Sequence, residues 1–87
     1  MYESHYDNPN KVYVPVIARF DEDGNIKPLS FEWEDGRKFK IDYITDVRRA
    51  ASLKAGGSGI RYTCMVLGKQ TYLFRDEERW FMERIGG

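Results

Sequence analysis

Between residues 29 and 48 the chain alternates apolar and polar side chains on both sides of an Asp35-Gly36 pair. Strand side chains point to opposite faces with period two, so this pattern specifies two half-buried strands and the turn between them. Leu29, Phe31 and Trp33 share one face, and Ser30, Glu32 and Glu34 share the other. On the return strand Phe39, Ile41, Tyr43 and Val47 read inward, while Lys38, Lys40, Asp42, Asp46 and Arg48 read outward. Asp-Gly in this setting favours a two-residue type I′ turn, whose twist matches a hairpin. Ile44 breaks the alternation and marks a bulge near Tyr43-Ile44. A chain built around such a hairpin is committed to an antiparallel sheet.

The flanking segments extend that sheet. Residues 12–20 are rich in β-branched and aromatic side chains, with Val12, Val14, Val16, Ala18 and Phe20 on one face. Pro15 cannot donate to a ladder, which places this strand at an edge or beside a bulge. Residues 60–67, 70–75 and 79–85 read as three more strands, with Gly68-Lys69 suited to a type II′ turn. The sequence therefore predicts an all-β domain of about six short strands in meander order, curled into a small antiparallel barrel or half-barrel. Curling is favoured because an open sheet leaves two edges bare. Phe20, Phe31, Trp33, Phe39, Ile41, Val66, Phe74 and Trp80 are the expected core. Over 46–55 a short helical turn is a rival reading, since Asp46 could cap it and Ala50, Ala51 and Ala55 favour it.

Eighty-seven residues make one domain, here 10–87, preceded by a polar segment 1–9 that is expected to be mobile. No run approaches the ~18–20 apolar residues of a membrane span. The first ten residues lack the basic-then-apolar order of a signal peptide. The single cysteine, Cys64, allows no intrachain disulfide, so a cytoplasmic setting is expected. A net charge of zero conceals an asymmetry: residues 1–35 carry −5 and residues 36–70 carry +6.

Catalytic chemistry finds no support in these residues. His5 and Cys64 stand alone, whereas a nucleophilic dyad needs both partners on a rigid scaffold and a structural zinc needs four ligands. Asp21, Asp23, Asn25 and Glu32 match the first, third, fifth and twelfth positions of a calcium loop. Ile26 replaces the obligatory glycine, and Pro28 blocks the exit helix. Residues 56–59 are followed by Ile60 and Arg61, where a phosphate loop requires Lys-Ser or Lys-Thr. Glu32 and Glu34 face Lys38 and Lys40 across the turn and read as their salt-bridge partners. No enzyme activity, cofactor or metal is expected.

The stretch 31–84 carries Phe31-Glu32-Trp33, Gly36-Arg37, Tyr72-Leu73-Phe74-Arg75-Asp76 and Trp80-Phe81-Met82-Glu83-Arg84. In this it resembles a family of small uncharacterised bacterial all-β domains, some of which look like companions of DNA-repair polymerase genes. The resemblance implies a bacterial accessory domain in a nucleic-acid setting and brings no catalytic residue with it.

Two readings of function remain open. The first is a non-enzymatic binding or accessory module acting through protein contacts, as a homodimer or with another protein. It rests on the absence of a credible nucleophile, metal cluster or phosphate loop beside a well-specified sheet, and the homodimer on strands apolar on both faces. If Tyr62, Cys64, Val66, Phe74 and Trp80 fill the interior, then Met65, Leu67, Leu73 and Phe81 project outward as a cluster. Such a patch marks a contact site on most soluble proteins. Alternatively, residues 50–55 or the N-terminal residues fold over it. The second reading is a single-stranded nucleic-acid binder using Lys38, Lys40, Arg48, Arg49, Lys54 and Arg61, with Tyr62 or Tyr72 as a stacking platform.

Overall fold

The computed structural model describes residues 10–52 and 56–84. Eight strands follow in order: β1 (Lys11–Tyr13), β2 (Val16–Phe20), β3 (Ile26–Glu32), β4 (Lys38–Lys40), β5 (Tyr43–Ala51), β6 (Ser58–Val66), β7 (Lys69–Asp76) and β8 (Arg79–Glu83). They form two antiparallel sheets, β1-β8-β7-β6-β5 and β2-β3-β4. No helix among the described residues is long and apolar enough to cross a membrane.

The fold is all-β, but the sheets do not close into the expected barrel. The reason lies in two bends where the chain changes neighbours. Val14 N–H donates to the Trp80 carbonyl, while the next carbonyl, that of Pro15, accepts from Glu32. Pro15 has no N–H to continue the β8 ladder, so the strand breaks there and resumes in the other sheet. Ile41 N–H donates to Leu29, and the next amide, Asp42, donates to Met65. The expected strands 12–20 and 38–48 are thus each split between two sheets, giving eight strands in place of six. Corners of this kind let two sheets face each other across one core.

That core contains Val12, Val14, Phe31, Ile41, Tyr62, Cys64, Val66, Leu73 and Met82, with Trp33, Phe39, Ile60 and Trp80 half-buried against it. Tyr62 Oη donates to the Ile26 carbonyl at 2.9 Å and ties the sheets together.

Several inward readings are reversed by changes of parity. The β2–β3 register slips between Ile17 and Ala18, leaving Leu29 as the extra residue. Pro28 and Phe31 therefore point in, and Leu29 is exposed. The bend at Ile41-Asp42 turns Tyr43 outward and Ile44 inward, and the expected bulge near Tyr43-Ile44 is present, with Thr45 as its extra residue. Val47 stands on an edge strand and is exposed. Phe20 ends the edge strand β2 and rims an open cleft with Ile26, Glu78 and Trp80, so it is 71% exposed rather than core. The helical turn over 46–55 is absent among the described residues: β5 runs to Ala51, because each residue from Asp46 has a cross-strand partner in β6. Residues 53–55 and the polar segment 1–9 lie outside the described residues.

The turns differ from expectation too. At Asp35-Gly36 the Gly36 N–H reaches the Trp33 carbonyl and Trp33 N–H reaches Arg37. Only Gly36 takes a positive φ (89°), so this is a three-residue loop rather than a type I′ pair. The β6–β7 turn is centred on Leu67-Gly68, with φ of 52° and 76°, instead of Gly68-Lys69. Two consecutive left-handed residues are the type I′ geometry, here with leucine where asparagine or glycine is favoured.

Candidate binding cleft

The β3–β4 and β6–β7 hairpins end side by side and leave an open cleft of about 370 Å³ between the sheets. Its floor is apolar: Phe31, Trp33 and Phe39 from one sheet, Val66 and Met82 from the other. Phe31 and Phe39 are cross-strand partners whose rings stack at 5.5 Å. Arg37, Lys69, Thr71 and Glu83 line the polar margin, and Leu67 completes the lining.

The margins are fixed by contacts both distant and local in sequence. Arg84 binds Glu34 through Nη2–Oε1 at 2.8 Å and Nε–Oε2 at 3.1 Å, which anchors the β3–β4 turn to the end of β8. Arg84, rather than Lys38 or Lys40, is therefore the partner of Glu34; Lys38 stands opposite Glu32 in register. Glu83 accepts a hydrogen bond from Ser52 Oγ at 2.7 Å. Arg37 lies 5.3 Å above the Phe39 ring and pairs with Asp35 at 2.9 Å. The Asp35 carboxyl is held below its usual range, chiefly by the Arg37 backbone N–H.

Leu67 is the anomaly. It is 76% exposed and left-handed, both unfavourable for a branched apolar side chain.

Of the sequence-predicted contact residues, the β5–β6 register brings Arg48 and Arg61 together, directly opposite each other, and leaves the others apart. Lys38 and Lys40 flank Phe39 on the exposed side of β4. Arg48 and Arg49 are consecutive on β5 and so point to opposite faces. Arg61 lies over the Tyr72 ring at 4.5 Å, and Lys54 lies outside the described residues. Tyr62, the other expected platform, is buried in the core.

The expected outward cluster is also dispersed. Tyr62 pairs with Leu73 across β6 and β7, so Leu73 (0% exposed) points into the core and Phe74 points out. Phe74 and Phe81 are cross-strand partners on the outer face of the five-stranded sheet, stacked at 4.9 Å and 5°. They too are covered, Phe81 at 0% exposed. Lys11 Nζ lies 4.5 Å over Phe81, and Gly57 approaches that same ammonium. With Ser52 bound to Glu83, this places the ends of the β5–β6 connection over the aromatic pair. Met65 is half-buried opposite Tyr43, and Leu67 alone of the four is freely exposed.

Cys64 is fully buried, and burial pushes its thiol up to about 11, which makes it unreactive. Among the described residues no group of three or more His, Cys, Asp or Glu side chains could hold a metal. The 21–25 loop is instead held by Asp21, whose Oδ1 accepts from the Asp23 and Asn25 amides.

Sequence reasoning missed the cleft because its two walls, Phe31 to Phe39 and Val66 to Glu83, lie far apart in the chain. Its one local signal was a leucine before glycine at a hairpin turn. Comparison of the chain with protein-family models, curated proteins and solved structures found no match.

Proposed function

We propose that the protein is a non-enzymatic interaction module that takes an aromatic or large aliphatic side chain of a partner protein into the cleft between its hairpins. The single observation that carries this reading is Leu67, an exposed leucine held left-handed on the cleft wall beside Trp33 and Phe39. Strain and exposure of this kind concentrate at ligand clamps, where contact with a partner offsets both. The cleft has the size and apolar lining of a binding pocket, with a few polar groups at its edge to orient the occupant. Arg37 and Lys69 favour a partner segment with acidic residues beside its anchoring side chain.

Selection from a displayed library of random peptides tests this. The expected enrichment is for Trp, Phe or Leu adjacent to Asp or Glu, with binding lost on Leu67→Asp and weakened on Arg37→Ala. Failure to enrich any sequence that Leu67→Asp discriminates against would overturn the reading.

A further inference from the structure

The outer faces of β5, β6 and β7 present a second group of residues, apart from the cleft. Arg48 and Arg61 stand directly opposite each other in the β5–β6 ladder. Like charges in that relation repel, where sheets normally pair opposite ones. Local contacts offset the repulsion. Arg48 is held by Asp46, Nε–Oδ2 at 2.7 Å and Nη2–Oδ1 at 3.3 Å, and Arg61 lies over the Tyr72 ring. Arg61 Nε is buried without a hydrogen-bond partner. Tyr43 stands on the same face and is 55% exposed, paired in register with Met65.

Two opposed guanidiniums, with an exposed ring on the same face four residues further along β6, about 13 Å away at ~3.3 Å per residue, match the repeating chemistry of one polymer. A phosphate between the arginines would remove their repulsion through charge-assisted hydrogen bonds. The Tyr43 ring would offer a base further along the same strand a surface for stacking. A phosphorylated peptide would engage the arginines and leave Tyr43 unused.

We infer that the β5–β6–β7 face binds single-stranded nucleic acid, a backbone phosphate bridging Arg48 and Arg61 and a base stacking on Tyr43. This site is independent of the cleft and stands or falls without it.

Fluorescence anisotropy with a labelled oligothymidylate of about fifteen nucleotides tests the assignment. One bridged phosphate predicts a ~3-fold loss of affinity between about 50 and about 200 mM salt. Arg48→Glu should weaken binding at least ~10-fold, since it reverses a charge that touches phosphate. Arg49→Glu, on the opposite face, should have little effect beyond the change in net charge. Asp46→Asn should strengthen binding by removing the competing carboxylate, and Tyr43→Ala should weaken it ~5-fold or more. Circular dichroism of each variant confirms that the fold is intact. Absence of salt-sensitive binding at the lower salt, or equal losses in Arg48→Glu and Arg49→Glu, would overturn the site. Unchanged affinity in Tyr43→Ala would overturn the nucleic-acid assignment in favour of a phosphate-bearing protein.

Discussion

Arg84 closes on Glu34 from fifty positions away, donating Nη2 to Oε1 at 2.8 Å and Nε to Oε2 at 3.1 Å. The two parallel bonds hold the tip of one sheet against the terminal strand of the other, where a single point charge would not fix the angle. Both side chains are part-exposed, so the pair is screened by salt and contributes little to global stability. Glu34→Gln should lower the urea midpoint slightly at low salt and have no effect near 1 M salt. Chemical denaturation at the two salt concentrations checks this, and a loss that persists at high salt would mean that Glu34 acts through packing.

Leu67→Asn should stabilise the protein while impairing its binding. Asparagine before Gly68 suits the two left-handed positions of the turn, where leucine is strained. The gain expected is ~0.5–1 kcal/mol, read from the thermal midpoint. The same variant should lose affinity for any peptide selected against the native cleft.

Gly59→Ala should be destabilising out of proportion to its size. Gly59 is buried in β6, and a Cβ there would run into the carbonyl oxygen of Arg75 on β7. Strand displacement at a site this tight costs ~1–3 kcal/mol. A thermal midpoint equal to that of the native protein would refute the close approach.

Phe81→Ala should cost more than Trp33→Ala. Phe81 is fully buried and stacked on Phe74, and its removal costs ~3–5 kcal/mol in comparable cores. Trp33 is half-buried along the cleft, so truncation there forfeits less apolar contact and should chiefly reduce ligand affinity. Denaturation of the two variants in parallel gives the order directly.

Acid should loosen the 21–25 loop. The Asp21 carboxyl is held below its ordinary value of 3.8, mainly by the Asn25 amide and then by the Asn25 side chain. A depressed folded-state value means the unfolded chain binds the proton more readily, so this stabilisation is present above 3.8 and fades as pH falls through the lower folded value. Asp21→Ala should therefore be less stable than the native protein at neutral pH and approach it in strong acid. Thermal melts across that range test the convergence.

The antiparallel class was legible because alternation within a strand is a local property. Phe31, Ile41 and Val66 read inward and are buried on that account. What escaped was parity across irregularities. One extra residue at Leu29 or Thr45 exchanges the faces of everything beyond it, and the sequence marks only the second, through the break at Ile44. Leu73 and Phe74 show a second limit: both strand faces are apolar and both are covered, so composition cannot say which face meets the other sheet. The cleft was illegible for a third reason. Its two hairpins are neighbours only because the chain turns a corner at Ile41-Asp42, and nothing within either hairpin encodes that meeting.

The pairing of β1 with β8 joins Lys11, Val12 and Tyr13 to Glu83, Met82 and Phe81. The other five ladders among the described residues link strands consecutive in sequence. Those ladders can zip from their own turns, whereas this one must close a loop of nearly the whole chain and pays its entropy at once. Closing it is therefore expected to be the slow and last event of folding. Reopening it is the cheapest route back, through an ajar form that bares the β8 edge and lifts Lys11 from Phe81. The lifetime of the native protein should therefore depend on how firmly these three residues hold the β8 edge.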